Sequence, residues 1–220
     1  MNDKFITLNQ KIYDYVLRQR TRGDLDETLD ALREETSTLG EISGMQISPE
    51  QGGFFSLLVA ATRAQNAIEI GTFTGYSSLC IARGLPENGR LLCLDQSAEW
   101  TEVARKYWLR AGLETKIDLR IGDAKSTLRE LPDSEQFDFA FIDADKTGYD
   151  TYFEFLLPRL KPNSLFVFDN MLRGGRLADD DLESADEVAL DALNRKLASD
   201  SRVESVLLPV ADGLNLCRKK

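Results

Sequence analysis

The chain has 220 residues, 42% of them hydrophobic and 29% charged, and 27 basic against 37 acidic side chains give a formal net charge of −10. That length supports one well-packed core and is short for two, no apolar run approaches membrane-spanning length, and the acid excess argues against the broad basic surface that nucleic-acid binding uses. Histidine is absent, which removes the usual general base near neutral pH and leaves proton transfer to Lys, Asp, Glu, Tyr, Cys or water.

Residues 1–10 carry no basic segment followed by an apolar one, so no signal peptide is visible and cytoplasmic residence is the expectation. Residues 5–39 are largely helix-like, with Ile12, Tyr15 and Val16 on one face, Leu25, Leu29 and Leu32 on another, and an interruption around Gly23. This predicts a helical N-terminal extension, residues 1–44, that packs on the domain or on a partner. Ser48-Pro49-Glu50-Gln51 reads as an N-cap with proline at the first helical position, opening a helix through Ala61. Candidate strands follow at 67–70, 90–94, 117–121, 137–142, 165–168, 203–208 and 214–218, and helical patterns separate most of them.

That alternation predicts an α/β fold in a single domain spanning 1–220: a seven-stranded, mainly parallel sheet with helices on both faces. The last two strands are joined by residues 209–213 alone, too short for a helical crossover, so they should form an antiparallel hairpin. Residues 178–184 are acidic and weakly patterned, a surface loop near the site. Cys80, Cys93 and Cys217 lack Cys-x-x-Cys spacing and read as buried small apolar groups, not as a disulfide framework or zinc site.

Phe139-Ala140-Phe141-Ile142-Asp143-Ala144-Asp145-Lys146 and Leu165-Phe166-Val167-Phe168-Asp169-Asn170 are apolar, β-prone runs that stop at carboxylates. A buried parallel strand reads this way when its C-terminal end opens into a site. Asp143, Asp169 and Asn170 at neighbouring strand ends make an oxygen-only ligand set suited to Mg²⁺, and Mn²⁺ or Ca²⁺ accept the same donors. Helix capping is the alternative use of such residues.

In Ile68-Glu69-Ile70-Gly71-Thr72-Phe73-Thr74-Gly75-Tyr76-Ser77 a strand turns through glycines into a helix, so the backbone can pass close to a ligand. The spacing is not the three-glycine dinucleotide fingerprint. Asp95, ending the second strand, can accept from ribose hydroxyls, and Gly122-Asp123-Ala124 can edge an adenine ring. Glu69 near the turn suits a cationic cofactor, which favours S-adenosylmethionine over NAD.

With these motifs the chain resembles the cation-dependent class I O-methyltransferases, the family of caffeoyl-CoA and catechol O-methyltransferases. The resemblance runs from about Met45 to the C-terminus through Met45-Gln46-Ile47-Ser48-Pro49-Glu50-Gln51-Gly52 and the segments at 69–77, 141–146 and 169–170. Leu32-Arg33-Glu34-Glu35-Thr36-Ser37 and Ala211-Asp212-Gly213-Leu214 look most like bacterial catechol O-methyltransferases of the saframycin-pathway type. The resemblance implies a Rossmann-like sheet, a homodimer and a small phenolic acceptor. It implies that Glu69, Gly71, Thr72, Ser77, Asp95 and Ala124 contact S-adenosylmethionine, with Ile47, Asp143 and Asp145 lining the same pocket. Asp143, Asp169 and Asn170 would bind the metal, and Lys146 with Asp143 would carry catalysis. Ile47 replaces a hydroxyl residue of plant relatives, so only a backbone or apolar contact is expected there.

Methyl transfer from sulfonium sulfur needs an oxygen nucleophile in line with the methyl carbon. Chelation of two adjacent phenolic oxygens by a divalent cation would supply it, and Lys146 would take part in deprotonation. For Lys146 a surface ion pair with Asp143 or Asp145 is the competing role. Tyr149, Tyr152, Phe153 and Phe155 read as packing residues. Where relatives commonly carry tryptophan three residues beyond the Asp-Asn pair, this chain has Arg173, which either contacts a carboxylate or phosphate on the acceptor or faces solvent. Two other functions fit parts of the pattern: methylation of a hydroxylated tRNA uridine, and a non-catalytic nucleoside-binding or dimerisation module.

Overall fold

A computed structural model of the protein describes residues 6–21, 26–179 and 181–220. Two short helices, α1 (Gln10–Arg18) and α2 (Asp26–Ser37), stand where the sequence reads one interrupted helical stretch; Phe5, Gly23 and Leu25 lie outside the described residues. Leu29 and Leu32 of α2 are buried as their spacing predicts. By contrast α1 buries none of its residues, and Tyr15 and Val16 stay exposed. The helix α3 (Pro49–Thr62) opens at Ser48 and Pro49 as expected, although the Ser48 side chain makes no capping bond. Its start therefore rests on the fixed φ of proline.

Strand and helix then alternate through β1 (Asn66–Ile70), α4 (Tyr76–Gly84), β2 (Arg90–Asp95), α5 (Ala98–Arg110), β3 (Ile117–Ile121), α6 (Ala124–Glu130), β4 (Phe137–Ile142), α7 (Tyr149–Leu156), β5 (Leu160–Phe168), α8 (Ala185–Ser199), β6 (Val203–Leu208) and β7 (Leu214–Lys219). Polar caps mark several helix starts. Ser97, Asp123 and Ser184 each accept a backbone N–H, and Ser184 forms a reciprocal box with Glu187.

The seven strands make one Rossmann-like sheet in the order β3-β2-β1-β4-β5-β7-β6. Strands β1 to β5 pair in parallel, and β7 lies antiparallel between β5 and β6. The closing hairpin is the one predicted. Alternate strand side chains feed two apolar layers. On one face Ile68, Ile70, Ala140, Ile142, Phe166 and Phe168 meet Tyr149, Phe153 and Leu156 of α7 and Leu190, Leu193 and Leu197 of α8. On the other, Ala67, Cys93, Phe139, Phe141 and Val167 meet Phe55 and Val59 of α3, Leu79 and Ile81 of α4, and Trp108 of α5. All three cysteines are free and buried.

One boundary differs from expectation. Strand β5 begins at Leu160, not at Leu165, and its pairing with β4 shifts register between Phe137↔Leu160 and Phe139↔Leu165. Pro162 lacks a ladder donor and Asn163 sits at φ 67. The extra residues bulge out, a place where a strand tolerates proline. In the acidic segment 178–184, Asp179 and Glu183 reach back to Arg176 at 2.7 and 4.0 Å; Asp180 lies outside the described residues. Among the described residues no helix is long and apolar enough to cross a membrane.

Candidate active site

The parallel ladder continues one step past the strand ends. Gly122 N donates to Asp95 O at 2.8 Å, Gly71 N to Leu94 O at 2.9 Å, Asp143 N to Ile70 O at 2.8 Å and Asp169 N to Ile142 O at 3.1 Å. These bonds hold Asp95, Gly71, Asp143 and Asp169 side by side along one edge of the sheet. A cleft of about 820 Å³ opens over that edge. It sits where the strand order reverses between β1 and β4, the position at which open α/β sheets bind ligands.

Gly71 is dictated by sterics: at φ +90° an added Cβ would lie 1.9 Å from the Asp143 carbonyl oxygen. The loop it begins is tied down by Asp95, whose Oδ2 accepts from Thr72 N and Phe73 N at 2.8 Å each and whose Oδ1 accepts from Ser97 N at 2.7 Å. Phe73, at φ 51, sets its ring edge-on to Trp100 at 5.2 Å, and both line the cleft. Glu69 lies outside the lining, fully buried below this loop, where Oε2 accepts from Thr72 Oγ1 at 3.0 Å and Cys93 Sγ at 3.3 Å. Its Oε1 has no hydrogen-bond partner among the described residues. Burial pushes the Glu69 carboxyl up to about 7 against the donors that surround it.

At the other end of the cleft, Asp169 is 3% exposed and bonds to Gln51 Nε2 at 2.8 Å and Asn170 N at 2.7 Å. Burial, then the neighbouring Asp143 charge, push its carboxyl up to about 7. Lys146 Nζ donates to Asp143 Oδ1 and to the Tyr149 hydroxyl, both at 2.8 Å. With Lys146 and Asp143 side chains only 11% and 18% exposed, this pair belongs to the site's interior and not to the solvent surface. Asn170, at φ 57, donates Nδ2 to Asp212 Oδ2 at 3.3 Å, so its amide oxygen is the end left to accept. Two adjacent carboxylates, Asp169 buried and Asp143 partly so, offset by one ammonium form a donor set with an excess of negative charge, which a divalent cation fits. Among the described residues no group of three or more His, Cys, Asp or Glu side chains is placed to hold a metal. The Asn170 amide oxygen, on the same strand end as Asp169, is a further oxygen donor beside the two carboxylates.

The family model described as O-methyltransferase matches residues 19–220. The chain belongs to the O-methyltransferase family. Members of this class I family use S-adenosylmethionine as methyl donor. This O-methyltransferase is 44% identical over 179 residues to the probable caffeoyl-CoA O-methyltransferase 2 of Dictyostelium discoideum, covering 80% of its own chain and 78% of the relative. An O-methyltransferase from Bacillus cereus, solved in complex with SAH, superposes with a TM-score of 0.87 at 30% identity, covering 96% of this chain and 97% of that one. TomG of Streptomyces achromogenes, involved in tomaymycin synthesis and solved with SAM, gives 0.86 at 28% identity and 96% coverage of both chains. The narrower likeness to saframycin-pathway enzymes draws no support from these three.

The cleft of this O-methyltransferase brings together Ile47, Gly71, Thr72, Ser77, Asp95, Ala124, Asp143, Asp145, Lys146, Asp169 and Asn170, as the sequence reading expects. Ile47 is buried and its carbonyl accepts from Arg33 at 3.2 Å, so its apolar side chain is what it offers. Asp145 bonds to the Tyr152 hydroxyl and to Lys125 Nζ, the latter at 3.1 Å. Glu69 is the exception, placed one layer below. Sequence reasoning assigned no role to Gln51, Trp100 or Asp212. Gln51 stood in the 45–52 segment that carries the resemblance, without a role of its own; Trp100 and Asp212 reach the cleft only through folding.

Proposed function

We propose that this O-methyltransferase moves a methyl group from S-adenosylmethionine to one hydroxyl of an ortho-dihydroxyphenyl small molecule held on a divalent cation, Mg²⁺ first among the candidates. One observation carries the reading: Asp143 and Asp169 stand on adjacent strand ends with Lys146 bonded to the first and Gln51 to the second. Asp143, Asp169 and Asn170 would hold the cation, which when bound lowers the pKa of a chelated phenol and fixes its oxygen.

The chain's own residues divide the remaining work. Nζ of Lys146, held between Asp143 and Tyr149, is placed to take up the acceptor's proton once the ammonium has released one of its own to solvent. On the cofactor side Phe73 and Trp100 offer an aromatic wall, Ala124 and Ile47 apolar contacts, and Gly71, Thr72 and Ser77 close backbone approach. Asp95 already accepts three backbone N–H groups. That leaves it one acceptor position on Oδ1, enough for a single ribose hydroxyl. The phenolic acceptor is supported by the caffeoyl-CoA name of the Dictyostelium relative.

A tRNA acceptor is the weaker reading, because the cleft lining carries two cations, Lys146 and Arg173, against six aspartates. Homodimerisation belongs to the proposal as well, supported by exposed Ile6, Leu8, Tyr15 and Val16 at the N-terminal end, and sedimentation tests it. The deciding experiment is transfer of labelled methyl to a panel of ortho-diols with Mg²⁺ and with excess chelator. Chelator-sensitive turnover restricted to vicinal diols supports the proposal; turnover indifferent to chelator rejects the metal role of Asp143, Asp169 and Asn170.

A further inference from the structure

Among the described residues lining the cleft the cations are Lys146 and Arg173, and Arg173 has the larger share of unused donors. Lys146 is occupied by Asp143 and Tyr149. Arg176, nearby in sequence, is consumed by Asp179, the Asp181 carbonyl, Glu183 and Glu187. Among the described residues Arg173 instead makes a single side-chain bond, from Nη2 to Asp186 Oδ2 at 3.2 Å. A guanidinium carries five N–H donors, so most of them are left for water or a ligand beside the cleft that Arg173 and Asp186 both line.

Arg173 is also held in an unusual backbone. It sits at φ 49, followed by Gly174 at φ 63 and Gly175 at φ 90. Glycine takes this conformation without penalty and arginine does not. Bonds from Leu172 N to Asp212 O and Met171 N to Gly213 O, both 2.9 Å, staple the segment to the turn between β6 and β7. Asp212 Oδ1 also accepts from Gly174 N. Arg173 N donates to Asn170 O at 3.2 Å, closing a four-residue turn. The two Cα atoms of such a turn lie within about 7 Å, which places Arg173 next to Asn170 on the wall of the cleft that both line.

We propose that Arg173 selects an acceptor whose ortho-diol ring carries a carboxylate on a short tether, and that this carboxylate displaces Asp186 from the guanidinium. The inference rests on the ortho-diol methyltransferase reading above. The Arg173–Asp186 pair is 41% and 38% exposed. An ion pair so open to water is weak and exchanges readily for a carboxylate that engages the fork through two parallel N–H bonds. Arg173 and Asn170 are joined by one turn and both line the cleft, so acceptors with the carboxylate on the ring or a few bonds from it are the ones to test.

The test compares kcat/KM for unsubstituted catechol, 3,4-dihydroxybenzoate and the ammonium-bearing 3,4-dihydroxyphenethylamine, with Mg²⁺, in the wild type, Arg173→Met and Arg173→Lys. The wild type should prefer the carboxylate. In Arg173→Met the carboxylate-to-catechol ratio should fall by about tenfold or more, chiefly through KM. Arg173→Lys should restore part of the ratio, lacking the planar fork. A ratio unchanged in Arg173→Met, or a wild type that prefers the ammonium acceptor, overturns the proposal while leaving the methyltransferase reading intact. Wild-type failure on all three diols, with S-adenosylmethionine binding retained by calorimetry, overturns both.

Discussion

The Gln51 side-chain amide donates to the Asp169 carboxylate at 2.8 Å, joining residues 118 apart in sequence at the buried base of the cleft. Gln51 opens α3 and Asp169 ends β5, so the bond locks a helix to the edge on which the proposed metal ligands stand. Removing the donor leaves Oδ2 of a buried carboxylate without its Gln51 partner, with Asn170 N still bonded to Oδ1. Gln51→Leu is expected to cost about 1–3 kcal/mol of stability and to raise the Mg²⁺ concentration for half-maximal activity about 10–100-fold. Urea unfolding and a metal titration of methyl transfer check the two parts separately. An unchanged titration would show that Gln51 serves the fold alone.

Lys146 is the one ammonium bonded to a proposed metal ligand. Lys146→Met, which keeps length and loses the proton acceptor, should reduce kcat about 10²–10⁴-fold while the dissociation constant of S-adenosylmethionine moves only a few-fold. Single-turnover kinetics with calorimetry separates these. Near wild-type kcat would assign proton removal to another group.

Gly71→Ala meets both a φ of +90° and an oxygen 1.9 Å from the new Cβ. That oxygen belongs to the Asp143 backbone and cannot swing aside. A destabilisation of at least about 2 kcal/mol is expected, with loss of cofactor binding because the 71–75 loop and the start of β4's loop must separate. Thermal unfolding with and without cofactor reads it: a variant that still gains Tm on adding S-adenosylmethionine contradicts the close-approach argument.

Glu69 gives the chain a pH-dependent stability. Its folded carboxyl is raised by burial from 4.5 to about 7, so between those values the folded state keeps a proton that the unfolded chain has released. This group's contribution is therefore most favourable below about pH 4.5 and declines as pH rises through 7, by about 3 kcal/mol in total. Glu69→Gln, uncharged at every pH, should gain on the wild type steadily from pH 5 to pH 8. Urea midpoints at the two ends suffice, and a difference that does not change with pH counts against a buried, chargeable Glu69.

The alternation of apolar strands and helices, the short 209–213 connection and the carboxylates that end two apolar runs were all legible in the chain, because each reports a local property: how often a side chain meets the core, or how far a loop can reach. The same locality explains what was missed. The sequence pattern begins β5 at Leu165, and only pairing with β4 shows that the ladder already starts at Leu160, ahead of a bulge. The stripe of Ile12, Tyr15 and Val16 reads as a packing face, yet nothing in the pattern tells whether this chain covers it.

By itself the sequence determined the element types, the oxygen chemistry available to the site and the glycine at position 71. Only the tertiary structure decided which of those oxygens meet. The order β3-β2-β1-β4-β5-β7-β6 sets Asp143 beside Asp169, folding drops Glu69 beneath the loop and not into the cleft, and the Asp212 turn carries Arg173 to Asp186. These placements depend on contacts between segments far apart in the chain, and their energies come from closing loops and packing sheet faces, terms that no short window of sequence contains.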